Sequence, residues 1–146
     1  MKIAIGADHR GFKLKEEIKS FLLKMGHEVD DRGTDSEESV DYPDFGFPVA
    51  QAVANREAER GVLICATGMG MSIVANKVNG VRATLCTSER MAELSRAHNN
   101  SNLLALGAAN LPFDLSLRIV KIWLRTRFEG GRHQRRLGKI EEYENG

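Results

Sequence analysis

The stretch from Val62 to Ser72, VLICATGMGMS, decides the fold of this chain. It begins with a continuous apolar run, and such runs are typical of a strand that is buried on both faces in a parallel sheet. The run ends in a glycine-containing turn that leads directly into apolar residues at helical spacing. The stretch therefore predicts the strand, turn and helix of an α/β protein.

The rest of the chain repeats this alternation between short apolar runs and amphipathic segments. We predict a single doubly wound α/β domain over residues 1–146, with a polar tail over 130–146. Ser88 is the predicted N-cap of its helix. The predicted strands are Ile3–Gly6, His27–Val29, Gly61–Ala66, Val81–Cys86 and Leu103–Leu106, and the predicted helices are Phe12–Met25, Pro48–Asn55, Met71–Val78, Ser88–Arg96 and Leu115–Arg127.

Composition excludes several classes of protein. Of 146 residues, 42% are hydrophobic, which is enough to bury one core without metal or disulfide support. The 21 Lys and Arg against 20 Asp and Glu argue against nucleic acid or an anionic membrane as a partner. No apolar run reaches a membrane span and no signal-peptide pattern is visible, so we expect a soluble, cytoplasmic protein. Two cysteines are too few for a disulfide framework.

The near-zero net charge hides two segregated blocks. Residues 28–44 carry eight acidic side chains and one basic, whereas residues 118–139 carry eight basic and one acidic. If the tail over 130–146 packs on a neighbouring subunit, the two blocks could complement each other there. The acidic block includes the connection Gly33–Tyr42, which is either a solvated loop or a functional one.

The turns that follow the strands are the first places to look for chemistry, because open parallel sheets bind ligands beyond the carboxyl ends of their strands. After the first strand come Asp8, His9 and Arg10. Asp8 either serves a ligand or caps the next helix. His9 can donate a hydrogen bond to an anion.

The turn after the third strand predicts an anion site. Gly68 and Gly70 expose backbone N–H groups at a helix N-terminus, where an oxyanion or phosphate binds readily. A dinucleotide fingerprint would need a third glycine at Ile73, so nucleotide binding is disfavoured. Cys65 just before this turn is either a small buried hydrophobe or a thiolate acting as base or nucleophile. Cys86 has no such turn after it, and we interpret it as structural.

Two later segments carry polar groups. His98 and the asparagines after it could serve a sugar or could simply end a helix. Arg132 and Arg136 are four residues apart, so on a helix both would face one phosphate. The four histidines show no metal-ligand spacing, and we expect no metal site.

Taken together, these motifs resemble ribose-5-phosphate isomerase of the B type, a family that also includes galactose-6-phosphate and allose-6-phosphate isomerases. The resemblance extends over essentially the whole chain. It rests on Asp8-His9-x-Gly11, Gly33-Thr34, Asp41-Tyr42-Pro43, Cys65-x-Thr67-Gly68-x-Gly70-x-Ser72, Ala75-Asn76-Lys77, His98-Asn99 and Gly130-Gly131-Arg132-His133.

The resemblance implies a Rossmann-like three-layer α/β/α sandwich with a five-stranded parallel sheet and a C-terminal helical tail. It also implies a homodimer or homotetramer with shared active sites, and no cofactor. The expected reaction is aldose–ketose isomerisation of a sugar phosphate through an enediolate, with ribose 5-phosphate and ribulose 5-phosphate as the pair.

The resemblance also implies a role for each matching residue. Cys65 would carry the proton between C1 and C2, and Thr67 would relay protons between the two sugar oxygens. His98, supported by Asp8, would open the furanose ring. The implied substrate-binding residues are His9, Tyr42, Gly68, Met69, Gly70, Ser72, Asn99, Arg132 and Arg136.

Three positions bear on the substrate. Met71 stands where a second branch of the family has a glutamate base, which places this chain in the cysteine branch. Ala66 replaces a frequent glycine, and Ala109 replaces an arginine that reaches the phosphate in many members. These changes leave open a different sugar phosphate or a non-catalytic phosphosugar-binding module. A cysteine hydrolase using Cys65 and His98 is a further alternative.

Overall fold

A computed structural model describes all 146 residues and shows five parallel strands between two layers of helices. The strand order is β2-β1-β3-β5-β4. The strands are β1 (Lys2–Ala7), β2 (Glu28–Asp31), β3 (Arg60–Cys65), β4 (Ala83–Leu85) and β5 (Leu103–Gly107). The helices are α1 (Phe12–Lys24), α2 (Tyr42–Ala54), α3 (Met69–Asn76), α4 (Glu89–Ala97), α5 (Phe113–Arg125) and α6 (Arg132–Asn145).

The two faces of the sheet bury two separate cores, because successive side chains of a strand point to opposite faces. Val62 and Ile64 of β3 pack with α1, α4 and α5 around the fully buried Trp123. Leu63 and Cys65 of the same strand pack with α2 and α3. The predicted sandwich of three layers is confirmed, and its central strands are buried on both faces.

Some of the predicted boundaries are wrong. We predicted that the second helix starts at Pro48. The helix instead starts at Tyr42, with Pro43 in its first turn and Pro48 tolerated inside it. The fourth strand is shorter than predicted, at Ala83–Leu85. Ser88 is confirmed as an N-cap, since its Oγ accepts the N–H of Met91 at 3.1 Å.

All five strands run in one direction, so the sheet has two chemically different edges. The carboxyl edge is where the strands end, at Ala7, Asp31, Cys65, Leu85 and Gly107. The amino edge is where they begin, and α4 and α5 end beside it. The chain moves outward in opposite directions from β1 and β3, which makes their carboxyl ends the switch point of the sheet.

The tail forms the helix α6, which begins directly after Gly130 and Gly131. Both glycines have positive φ angles, of 70° and 58°, and neither has any atom within 4 Å of a Cβ built there. Of the fourteen residues of α6, His133 and Leu137 are buried. Its far end contacts the body through Glu144, which accepts the N–H of Gly80 at 3.1 Å. The helix is therefore attached to its own chain at few points.

No helix combines the length and the apolar composition that crossing a membrane requires.

Candidate active site

Cys65 ends β3 at the switch point of the carboxyl edge. Its side chain is buried, with 5% of the residue exposed, and it forms no disulfide. The N–H of Gly68 donates a hydrogen bond to its Sγ at 3.2 Å. This N–H and the N-terminus of α3 place positive partial charge beside the sulfur. Cys86 differs, because burial raises the pKa of its thiol and keeps it protonated.

The turn between Cys65 and α3 requires glycine at Gly68. Its φ angle is +79°, and a Cβ there would lie 2.6 Å from Cδ1 of Leu85. The turn leaves N–H groups of the first helical residues open: the N–H of Met69 donates to Oγ1 of Thr67, while those of Gly70 and Met71 donate to no protein acceptor. Open N–H groups beside a buried thiol form a cradle for a developing oxyanion.

Asp8 and His9 lie at the same switch point, after β1. The carboxylate of Asp8 accepts the N–H groups of Arg10 at 2.9 Å and Gly11 at 3.0 Å, so the side chain is already fixed in the turn before α1. His9 accepts the N–H of Val40 through Nδ1 at 3.2 Å. A neutral imidazole bonded in this way carries its proton on Nε2, which can donate to an anion.

The connection Gly33–Tyr42 covers this edge. Thr34 is buried, and its N–H donates to the carbonyl of Ala7 at 2.7 Å. Tyr42 stands over the N-terminus of α3, since a Cβ added at Gly70 would lie 2.7 Å from Cζ of its ring. The two ends of the connection, Thr34 and Tyr42, therefore lie against the candidate site. Most residues between them are exposed, so the solvated-loop interpretation holds for the middle of the connection.

A buried ion pair supports the start of this connection. Lys15 is 1% exposed, and its Nζ lies 2.7 Å from Oδ2 of Asp31. Burial opposes ionisation of Asp31, but hydrogen bonds from Lys15, from the N–H of Gly33 and from Lys19 outweigh it and hold the pKa of this carboxyl below its usual range. The pair ties α1 to the end of β2.

His98 and His133 form a second polar cluster. Their rings stack with centroids 4.2 Å apart and planes 11° from parallel. Glu129 Oε1 lies 3.8 Å from Nε2 of His98 and 3.6 Å from Nε2 of His133. Burial, together with the nearby His98 and Arg132, lowers the pKa of His133 and keeps it neutral at pH 7. The buried Nε2 of His133 has no hydrogen-bond partner.

Sequence reasoning missed this cluster. His98 and His133 are 35 positions apart, and no spacing rule links them to Glu129. The potential metal-ligand atoms of the three residues lie within 4.8 Å of one another in space. Their spacing in the sequence does not indicate this proximity. Nearly parallel rings, however, do not direct their in-plane lone pairs at one point, as a tetrahedral metal centre requires.

Asn99, Arg132 and Arg136 lie near this second cluster. All three side chains are exposed, and neither arginine forms an ion pair within the chain. Both arginines belong to the first two turns of α6, so the predicted helical spacing is confirmed. Their guanidinium groups are free to bind an anion.

The structure thus divides the predicted site residues between the two edges of the sheet. Asp8, His9, Tyr42 and residues 65–72 lie at the carboxyl edge. His98 follows α4 and precedes β5, which places it at the amino edge with Asn99 and the start of α6. One chain does not bring Asp8 and His98 together. The sharing of sites between subunits remains a prediction.

The acidic block is partly neutralised within its own chain. Four of its eight acidic side chains form ion pairs there, and any cross-subunit complementarity would use the remainder. The pairs are Glu28 with Lys2, Asp30 with Arg32, Asp31 with Lys15 and Lys19, and Glu37 with Lys13.

Comparison with known proteins identifies this arrangement. The family model described as Ribose/Galactose Isomerase matches residues 3–140. Ribose-5-phosphate isomerase B of Escherichia coli K12 is 49% identical over 143 residues, covering 98% of this chain and 96% of the relative. The structure of ribose-5-phosphate isomerase B from Clostridium thermocellum is 56% identical with a TM-score of 0.98, covering 99% and 98% of the two chains.

A further solved structure holds a sugar phosphate. Ribose-5-phosphate isomerase B from Mycoplasma genitalium, solved with bound ribulose-5-phosphate, is 43% identical with a TM-score of 0.95, covering 99% of this chain and 96% of that one. The Rossmann-like fold and the site at its switch point define an aldose–ketose isomerase of sugar phosphates. Within that class, the chain belongs to the Ribose/Galactose Isomerase family.

Proposed function

We propose that this protein interconverts ribose 5-phosphate and ribulose 5-phosphate, without a cofactor. The observation that carries the proposal is Cys65, a buried thiol that accepts the N–H of Gly68 beside the open N–H groups of Gly70 and Met71. Isomerisation needs a base and a cradle for a developing oxyanion, and this turn supplies both.

Ring opening comes first in the proposed sequence. His98 moves the proton that frees the aldehyde from the furanose. Asp8 of the facing carboxyl edge supports the substrate or the imidazole across the interface. The fixed bonds of Asp8 to Arg10 and Gly11 preset its carboxylate for this role.

Proton transfer follows at the carboxyl edge. The Cys65 thiolate takes the proton from C2, and the electron pair of that bond forms the enediolate with its negative charge on O1. Within the Gly68 to Ser72 backbone, the open N–H groups of Gly70 and Met71 hold this charge, and Met69 and Ser72 line the same turn. The thiol then returns the proton to C1, while Thr67 relays a proton from O2 to O1.

Phosphate binding anchors the other end of the substrate. We assign it to Nε2 of His9 and to the guanidinium groups of Arg132 and Arg136, which have no ion partner within the chain. Tyr42 and Asn99 line the sugar between the two ends. Ala109 is exposed and contributes no charge, so these three groups carry the phosphate in this chain.

The site is complete only when two copies meet. Its halves lie at opposite edges of one parallel sheet, which supports a homodimer, or a dimer of such dimers, in which each carboxyl edge receives the partner's amino edge. The exposed Ile140 and Tyr143 of α6 support packing of the 130–146 tail on that partner. Two free, buried cysteines suit a reducing cytoplasm.

An assay of the protein in heavy water tests the proposed function. The conversion of ribose 5-phosphate is followed by NMR. Allose 6-phosphate and galactose 6-phosphate are tested separately as alternative substrates. We expect ribulose 5-phosphate to form and deuterium to enter the reacting carbons. Absence of conversion and exchange, in a protein that still binds ribose 5-phosphate saturably, would make it a binding module instead.

A further inference from the structure

A second cluster of positive charge lies at the amino edge, outside the proposed active site. Arg60 is the first residue of β3, Arg82 directly precedes β4, and Arg96 lies in the last turn of α4. All three line one cavity of about 700 Å³. No carboxylate lies within 4.0 Å of their nitrogen atoms, in contrast to Arg32, Arg90 and Arg118, which form ion pairs.

Part of the bonding of these arginines is structural. Arg60 donates through Nη1 to the carbonyls of Trp123 and Leu124, each at 3.0 Å, and so caps the end of α5. Arg96 donates through Nη1 to the carbonyl of Ser101. Arg82 donates through Nε to the carbonyl of Asn100 at 3.1 Å. These carbonyl partners fix the side chains but do not neutralise them.

The remaining donors have no partner in the protein. Nη2 of all three arginines, and Nη1 of Arg82 as well, form no hydrogen bond with the chain. Arg96 is only 7% exposed, and burial together with the charges of Arg60 and Arg82 lowers its pKa to about 10. Because these three positive charges act on one another in a partly buried position, binding of an anion between them is favourable.

The rest of the cavity wall places hydrogen-bonding groups beside the arginines. Its wall is polar, with only Val53, Ala54 and Ala58 apolar. The amides of Asn79, Asn100 and Asn102 and the carboxylates of Glu59, Glu141 and Glu144 also line it. Amides and carboxylates accept hydrogen bonds from hydroxyl groups. A bare anion would gain nothing from the acidic wall, whereas a polyhydroxylated phosphate would use both sides.

We propose that this cavity binds a phosphate monoester of a polyhydroxylated compound, with the phosphate on Arg60, Arg82 and Arg96 and the hydroxyls toward the asparagines and α6. The cavity shares no residue with the proposed active site. Cys65 lies at the opposite edge of the sheet, and the active-site residues of the amino edge do not line the cavity: His98, Asn99, Arg132 and Arg136. It requires no chemistry, and it does not depend on the proposed isomerase function.

An NMR titration tests the site in the full-length chain. The background carries Arg132→Gln and Arg136→Gln, which removes the proposed phosphate groups of the active site. Ribitol 5-phosphate, which cannot isomerise, and inorganic phosphate are the two probes. We expect saturable shifts of the Arg82 and Asn102 amide signals with both probes, and ribitol 5-phosphate binding several-fold more tightly.

Substitutions then assign the site. Arg82→Gln should lower the affinity for both probes at least tenfold, because charge-assisted hydrogen bonds are lost. Arg82→Lys, which keeps the positive charge, should lower the affinity less than Arg82→Gln does. Arg90→Gln is the matched control, since Arg90 is exposed on α4 and pairs with Glu93. Unsaturable shifts, or binding that Arg82→Gln leaves unchanged in a well-dispersed spectrum, would overturn the site; equal affinity for the two probes would overturn its hydroxyl-binding half.

Discussion

The two edges of the sheet are built in contrasting ways. At the carboxyl edge, the polar groups are fixed by short bonds to their own backbone, as Asp8 and Cys65 are. At the amino edge, the rings of His98 and His133 stack on each other beside Glu129, and Arg132 and Arg136 project from the sparsely attached α6. The contrast teaches that one half of the proposed site is preset, whereas the other is delivered by an exposed helix.

The largest expected effect tests the preset half. Cys65→Ala should lower kcat by a factor of about 10² to 10⁴, because the general base is lost. Cys86→Ala is the matched control: that cysteine is also buried, directly after a strand, but its sulfur accepts no backbone N–H. Steady-state kinetics with ribose 5-phosphate measure both. Equal activity of Cys65→Ala and wild type would remove Cys65 from the mechanism.

Mixing two inactive variants tests whether the halves come from different chains. Cys65→Ala and His98→Gln are each expected to be almost inactive. After unfolding and refolding together at a 1:1 ratio, they should regain about a quarter of wild-type activity, because half of the dimers are mixed and each contains one intact site.

The same mixture has an internal control. Cys65→Ala mixed with Thr67→Val should regain nothing, since both residues lie at the carboxyl edge of the same chain. No activity from the first mixture would place the whole site within one chain, whereas activity from the second would mean that Cys65 and Thr67 of one site come from different chains.

The free energy of unfolding tests the ion pair between Lys15 and Asp31 at the carboxyl edge. Asp31→Asn should lower the free energy of unfolding by about 2 kcal/mol, because it leaves the buried Lys15 without its closest charged partner. Urea unfolding at pH 7 measures the loss. Glu28→Gln is the control, because its pair with Lys2 is 4.0 Å long and exposed and should contribute little.

The pH dependence of that difference has a definite sign. The pKa of Asp31 in the folded chain is below its usual value. Its charge therefore stabilises the fold above the unfolded pKa of about 3.9, and this stabilisation is lost as pH falls through the lower folded value. The gap between wild type and Asp31→Asn should close in acid. A gap that stays constant down to pH 2 would contradict the ion pair.

The smallest effect concerns α6. Gly138 lies inside the helix with no atom within 4 Å of an added Cβ. Gly138→Ala should stabilise the helix by about 0.5 to 1 kcal/mol in the isolated chain. Thermal melts at several protein concentrations measure it. A melting temperature that falls instead would mean that a partner subunit occupies the space beside Gly138, which would locate the tail in the interface.

The sequence was sufficient for most of the fold and half of the site. The apolar run ending at Cys65 and the glycines after it identify a buried strand and its turn, because both patterns are local. The predicted start of α2 at Pro48 was wrong. From the local sequence, a proline inside a helix cannot be distinguished from one in a first turn. The stacking of His98 on His133 depends on how α6 returns to the body, which no local pattern records.

The parallel direction of the strands has a consequence for reaction order. A strand of five residues such as β5 spans about 17 Å, so no loop movement within one chain can bring the two edges together. Under the proposed arrangement, a solution diluted below the dissociation constant of the dimer loses activity as the square of the chain concentration. Each halving of the chain concentration would then lower the rate fourfold. Dilution below the dissociation constant would therefore inactivate the enzyme without any inhibitor.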